Sequence, residues 1–319
     1  MRRAILGSVV AAGVTLVPGV AGASAALDYV PNAAAVGAVT VVDARAPAAC
    51  LAKSVRGAHC LPAADFLGPH GRLASFRQIF WLLGTAGLSG REHVLVVGDD
   101  PVERDFVAGM LYLSGQRKVS ILTRAVSQGA GLAPDALGPG RPRAMLRNPI
   151  YQGTVRGDDI VLRTELARML AARNAPAMLD GRGEAEYWGE HIRAWRGGHV
   201  PGAQSLPMGA ARRELVGGHL DLPAGRSFVV YGHDAFESVA YFTLLRAAGT
   251  DARVLLGGWA GWANHPDLPV VSETYPDRAT GPVLRAPEPS RWLASLAVFN
   301  LLAVLSLAGG LAYAWKRKS

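Results

Sequence analysis

Ala177-Met178-Leu179-Asp180-Gly181-Arg182, then Gly198-His199-Val200-Pro201-Gly202-Ala203, then Ser227-Phe228-Val229-Val230-Tyr231 decide the fold of this chain. The first and third are short apolar runs of the kind that form strands buried on both faces. The second is a Gly/Pro turn between them. An apolar helix, Val239 to Ala248, follows and ends near Gly249, the residue type a helix C-terminus prefers. A last strand runs from Ala252 to Leu256. Strands alternating with helices predict an α/β layer architecture with a mainly parallel sheet flanked by helices.

The plan occurs twice. Residues 39–123 carry what residues 175–260 carry. Thr40 to Arg45 stands for the first strand and Arg56-Gly57-Ala58-His59-Cys60-Leu61-Pro62 for the turn. His93 to Val97 is the central strand, Phe106 to Leu113 the helix, and Lys118 to Leu122 the last strand. Both first strands end in Asp-x-Arg, so Asp43 with Arg45, and Asp180 with Arg182, are expected to fix their turns by ion pairing. Two domains are expected, 34–125 and 159–275. A Gly/Pro/Arg-rich linker, 126–158, joins them.

Composition removes several classes. The chain has 319 residues, 50% hydrophobic and 18% charged, too apolar for disorder. Two cysteines cannot build a four-cysteine zinc site. The net charge is +8, but Arg is scattered through both halves, which argues against nucleic acid.

The two ends point to a membrane. Residues 1–25 have a secretory signal's parts: Arg2 and Arg3, an apolar run, and Ala23-Ser24-Ala25 before a cleavage point. An uncleaved N-terminal anchor is the alternative. Trp292 to Trp315 contains no charge, and as a helix would span roughly 36 Å, enough for a hydrocarbon core of about 30 Å. A transmembrane helix is expected over 291–315, after a Pro-rich spacer over 276–290. The tail 316–319 carries Lys316, Arg317 and Lys318, which assigns it to the cytoplasm and the main body to the periplasm. The expected location is a single-pass inner-membrane protein.

Asp-x-Arg, Gly-His-Val-Pro-Gly-Ala, Val-Val-Tyr before a loop, and Leu255-Leu256-Gly257-Gly258-Trp259 with Trp262 together resemble the rhodanese family. Glu186-Tyr187-Trp188-Gly189-Glu190 resembles its tandem thiosulfate sulfurtransferases. The resemblance covers most of residues 38–272, strongly in the second half and weakly in the first. It implies two tandem rhodanese-like domains. It also implies a loop after each central strand that begins with a cysteine, whose persulfide anion is held by backbone N–H groups and a helix N-terminus. The matching positions here are Gly98 and Gly232. A glycine carries no sulfur, so ordinary double displacement is unavailable and no catalytic residue is assigned.

The loops carry acids instead: Asp99, Asp100 and Glu103 in the first, Asp234 and Glu237 in the second. Acids at a helix N-terminus complement its dipole. They also suggest a pocket that repels thiosulfate. A concave binding site is expected from His233, Asp234, Phe236 and Glu237 with Trp259, Trp262 and Arg196. The His233/Asp234/Glu237 spacing fits no metal-ligand pattern, so no metal or cofactor is expected. His199 reads as a turn-packing residue. Cys50 and Cys60 are expected to form a disulfide in an oxidising compartment, closing a small loop worth about 2.5–3 kcal/mol. A redox or sulfur-carrying pair is the alternative.

The resulting expectation is a membrane-anchored, non-catalytic binding or scaffolding module, with a protein partner or a small sulfur-containing ligand. The alternative is a sulfurtransferase or sulfur carrier working through Cys60 or Cys50.

Overall fold

A computed structural model describes residues 26–33, 37–218, 220–223 and 225–272. The expected signal peptide, the 276–290 spacer, the 291–315 span and the tail lie outside the described residues. Among the described residues no helix is long and apolar enough to cross a membrane.

The first half comprises β1 (Leu27–Val30), β2 (Thr40–Asp43), α1 (Pro47–Ala52), β3 (Ser54–Val55), β4 (His59–Cys60), α2 (Phe76–Thr85), β5 (His93–Val97), α3 (Pro101–Leu113) and β6 (Lys118–Leu122). The strand β7 (Leu137–Gly138) follows. The second comprises β8 (Ile160–Val161), α4 (Arg163–Ala171), β9 (Ala177–Asp180), α5 (Glu184–Tyr187), β10 (Ala203–Ser205), α6 (Met208–Val216), β11 (Phe228–Tyr231), α7 (Ala235–Ala247), β12 (Ala252–Leu255) and α8 (Gly258–Ala263).

Each half builds a five-stranded sheet, ordered β1-β6-β5-β2-β4 and β8-β12-β11-β9-β10. Every pairing in both is parallel. The two orders correspond strand for strand, so the repeat in the sequence is a repeat in topology. The first sheet takes up Leu27–Val30, ahead of the boundary at 34 read from the sequence. Its place comes from pairing with β6, Leu27 beside Val119 through Val30 beside Leu122, which no local pattern encodes.

The linker is tied to the first half. Its Leu137–Gly138 pairs antiparallel with Ser54–Val55, and the Gly140 amide donates to the Cys50 carbonyl at 3.0 Å. A Cβ at Gly140 would lie 2.5 Å from Cys50 Sγ, so the strand crosses directly over the sulfur.

The halves meet where α3 packs on α7, and one continuous core runs through that contact from Val42 and Phe106 to Val239 and Val254. Gly109 of α3 lets the helices approach. A Cβ there would lie 2.7 Å from Val239 Cγ1 and nearer still to Thr243 Oγ1. Both helices are apolar around most of their circumference because sheet and partner helix cover opposite faces. They begin earlier than the apolar pattern predicts, at Pro101 and Ala235 rather than Phe106 and Val239. Capping by Asp100 and Asp234 accounts for the added turn and shortens both loops.

Candidate functional site

Three residues join β5 to α3: Gly98, Asp99 and Asp100. Asp100 is the N-cap and accepts from the Val102 amide at 2.7 Å and the Glu103 amide at 3.0 Å. Asp99 accepts from the Ser127 amide at 2.8 Å and pairs with Arg45 at 3.3 Å. Burial opposes ionisation of Asp99, but the Ser127 N–H and Arg45 outweigh it and hold the carboxyl below the usual range. Gly98 has ordinary space: a Cβ would sit 3.6 Å from both Ala44 Cβ and Arg104 Cβ.

The second loop, Gly232-His233-Asp234, has the same length and a different interior. Asp234 accepts from the Glu237 amide at 3.0 Å. Glu237 folds back, and its Oε2 accepts from the His233 amide at 3.0 Å. Its Oε1 pairs with Arg193 at 2.9 Å, and Arg193 pairs at 2.9 Å with Glu186. Glu186 Oε2 lies 3.2 Å from His233 Nδ1, without hydrogen-bond geometry. The Gly232 amide donates to Ser238 Oγ at 2.9 Å. The loop carbonyls are taken too: the amides of Trp259 and Ala260, at the start of α8, donate to Gly232 and His233 at 2.9 and 2.7 Å. Gly258 permits that approach, since at φ +58° a Cβ would also lie 2.7 Å from Ser238 Oγ.

The amides of Gly232, His233 and Glu237 therefore already face acceptors from this chain, two of them carboxylates. No open space lies beside Gly232. A Cβ there would lie 2.6 Å from Glu237 Cβ and 2.8 Å from its carbonyl carbon.

The residues expected to line a concave site have other places. Trp259 and Trp262 are 1% and 0% exposed, with indole N–H groups donating to the carbonyls of Arg196 (3.3 Å) and Pro269 (2.8 Å). They form core under the second sheet because the tight α8 turn drives both rings inward. Arg196 clamps the 263–268 segment, donating to the carbonyls of Ala263 (3.0 Å), Leu268 (2.9 Å) and His265 (2.6 Å), which leaves it no anion to meet. Phe236 packs against Phe106 of α3, ring centroids 4.7 Å apart and planes tilted by 45°, in the contact between halves. His233 is buried. Of these residues Asp234 alone borders the neighbouring cleft, of about 670 Å³. His233, Asp234 and Glu237 are engaged by a ring of other partners, and no group of His, Cys, Asp or Glu among the described residues is arranged to hold a metal.

The Asp-x-Arg pairs lie one strand away. Asp180 and Arg182 are both buried, joined by Nε–Oδ1 (3.0 Å) and Nη2–Oδ2 (2.5 Å) bonds. Arg182 also donates to the Gly198 carbonyl at 2.8 Å, which fixes the 198–202 turn. Arg45 does the same for Asp43 and the Lys53 carbonyl, at 2.7 and 2.6 Å. His199 stacks on Tyr187 at 3.7 Å, and its Nδ1 lies 3.0 Å from the Tyr187 carbonyl; burial holds its pKa below the usual imidazole value. Cys50 and Cys60 are joined in a buried disulfide with Cα atoms 5.8 Å apart. The sequence reading missed Glu186 and Arg193, which hold Glu237 in place. Glu186 sits in the one-turn α5 and Arg193 on the irregular segment after it, where spacing predicts no contact with Glu237.

Residues 162–265 match the rhodanese-like domain family. A thiosulfate sulfurtransferase of Azotobacter vinelandii is 30% identical over 106 residues, 30% of this chain and 39% of that protein. The match thus spans about two fifths of that relative's length. Among solved structures, a probable thiosulfate sulfurtransferase aligns at 25% identity and TM-score 0.52, over 73% of this chain and 97% of that one. Tum1 from Saccharomyces cerevisiae aligns at 16% identity and TM-score 0.60, over 78% and 98%. YnjE aligns at 20% identity and TM-score 0.61, over 79% and 64%. At these identities the last two share the fold.

Proposed function

From the rhodanese-like fold of residues 162–265, we propose that this chain is a tandem rhodanese-like module that no longer transfers sulfur and works as a binding or scaffolding unit. It is held at the outer face of the cytoplasmic membrane by residues 291–315, with 316–319 in the cytoplasm. One observation carries the reading. The chain has two cysteines, and both are in one buried disulfide, while the positions that match the family's nucleophile are Gly98 and Gly232. A thiolate nucleophile is therefore absent from both loops. The closure of the second loop by Glu237 supports the same reading, because the His233 amide there already faces the Glu237 carboxylate. The two cysteines as sulfur carriers fit less well, since each is under the linker and shielded from solvent.

The test is thiosulfate:cyanide sulfur transfer by the full chain, with persulfide detection alongside. Background turnover and no persulfide are expected. Turnover that disappears in Cys60→Ser would overturn the reading in favour of a sulfur carrier. The membrane part has its own test. A reporter active only in the cytoplasm, fused after Arg285, is expected to be silent, and activity there would reverse the orientation.

A further inference from the structure

A second cavity, of about 480 Å³, lies between the halves beside the first loop. The α3 side contributes Pro101 and Arg104, and the second half contributes Arg212, Leu215 and Val216 from α6 with Leu244 from α7. Arg104 is 5% exposed, yet its guanidinium makes no hydrogen bond or ion pair among the described residues, and its Nε is buried without an acceptor. Tyr29 Oη, on the same cavity, is buried beside the Asp105 and Arg212 side chains.

The other charges there are already matched. Arg212 is paired at 2.6 Å with the buried Asp105. Asp99, on the cavity wall, shares Arg45 with Asp43 and accepts from the Ser127 amide. Arg104 is the cation there with no hydrogen-bonded carboxylate of its own. A buried guanidinium without a hydrogen-bonded acceptor is destabilising, and folded chains rarely keep one without a reason. The volume suits the body of a small organic molecule, and is far more than the roughly 30 Å³ share of one water. The remaining walls are mostly hydrocarbon.

We propose that this cavity binds a small organic monoanion. Its acid group, carboxylate or sulfonate, pairs with Arg104, and its apolar body lies against Leu215, Val216 and Leu244. The ligand bridges both halves and stabilises their contact when bound. The site is separate from the closed second loop and goes beyond the loss of sulfur transfer. Thiosulfate turnover is not its readout, so the two proposals fail separately.

The probe is 4-phenylbutyrate, added to the full chain in neutral detergent and followed by calorimetry and by the thermal midpoint. Sub-millimolar binding and a raised midpoint are expected. The matched cation, 4-phenylbutylamine, is expected not to bind, and sulfate is expected to compete at least tenfold more weakly. Arg104→Met should weaken phenylbutyrate at least tenfold, while its unliganded midpoint stays level or rises because a buried charge is relieved. Val216→Glu, at an exposed rim position, should weaken it at least threefold with the fold intact. Wild-type affinity in both variants, equal binding of the amine, or no binding of phenylbutyrate would each overturn the proposal. Sulfate binding as tightly as phenylbutyrate would overturn the organic body and leave an inorganic-anion site.

Discussion

Gly232→Ala should destabilise this chain, and Gly98→Ala should not, although both glycines match the same family position. At Gly232 the added Cβ meets Glu237 Cβ at 2.6 Å and the Glu237 carbonyl carbon at 2.8 Å, about 1 Å inside ordinary contact. The obstacle is the first turn of α7, which is backed by buried Ser238 and Val239 and cannot simply rotate away. Overpacking of this kind costs about 1–3 kcal/mol. Moving Glu237 also strains the His233 N–H bond to its carboxylate and the Asp234 cap, the cap alone being worth about 1 kcal/mol. A net loss of about 2–3 kcal/mol follows, or a midpoint lower by roughly 5–10 °C for halves of this size. At Gly98 the nearest atoms lie 3.6 Å away, and the loss of chain freedom in the unfolded state offsets what little crowding remains. Gly98→Ala should fall within about 1 kcal/mol of wild type. Denaturant titration of the three full-length proteins measures both. Equal stability of the two alanine variants would mean that the second loop is open and that Glu237 does not fill it.

Gly109→Val should cost at least about 3 kcal/mol, because α3 and α7 cannot separate without opening the shared core; two resolved unfolding transitions, or none shifted, would refute it. The double variant Cys50→Ala/Cys60→Ala should lose about 2.5–3 kcal/mol, and thiol titration of the native chain should find no reactive thiol before reduction. Burial holds His59, His93 and His199 below the usual imidazole value. The unfolded chain then takes up these protons first, so their contribution is fully present above about pH 6.5 and is lost as the pH falls through their folded values. Denaturation at pH 7.5 and 5.0 should show the drop, and triple replacement by Gln should flatten it.

The repeat was legible because its strands are short apolar runs between turn residues. Val94–Val97 and Phe228–Tyr231 are buried on both faces and therefore leave unbroken apolar text. The acids at the loops were legible as helix-end residues, and Asp100 and Asp234 are caps. Three things were not legible. β1 gains its identity only from β6, some ninety residues on. The Glu237–Arg193–Glu186 chain joins α7 to α5 through an irregular segment, and no periodicity relates the positions. The Arg104 cavity draws its walls from both halves, so its unpaired charge has no local signature. Arg196, Trp259 and Trp262 show the converse. Their side chains look suited to a ligand, but they serve the backbone and core of the 258–270 segment.

The space left at Gly98 invites the idea that sulfur chemistry is one substitution away in the first half. The electrostatics argue otherwise. A cysteine there would have room, but the amides of Val102 and Glu103, the donors a thiolate needs, already face the Asp100 carboxylate. The surrounding acids Asp43, Asp99, Asp100 and Glu103 outnumber the cations Arg45 and Arg104, and Arg45 is shared between Asp43 and Asp99. Burial and Asp100 push the Glu103 carboxyl above its usual value. The thiol of Gly98→Cys should therefore titrate at or above the free-cysteine value of about 8.5, not in the range below about 7 that activated cysteines reach. The pH dependence of its alkylation by iodoacetamide, in the full chain with Cys50 and Cys60 still paired, measures this. Adding Asp100→Asn should lower the value by freeing the helix end. A Gly98→Cys thiol already half-ionised near pH 6 would show that the helix end and Arg104 govern this loop and that its carboxylates do not.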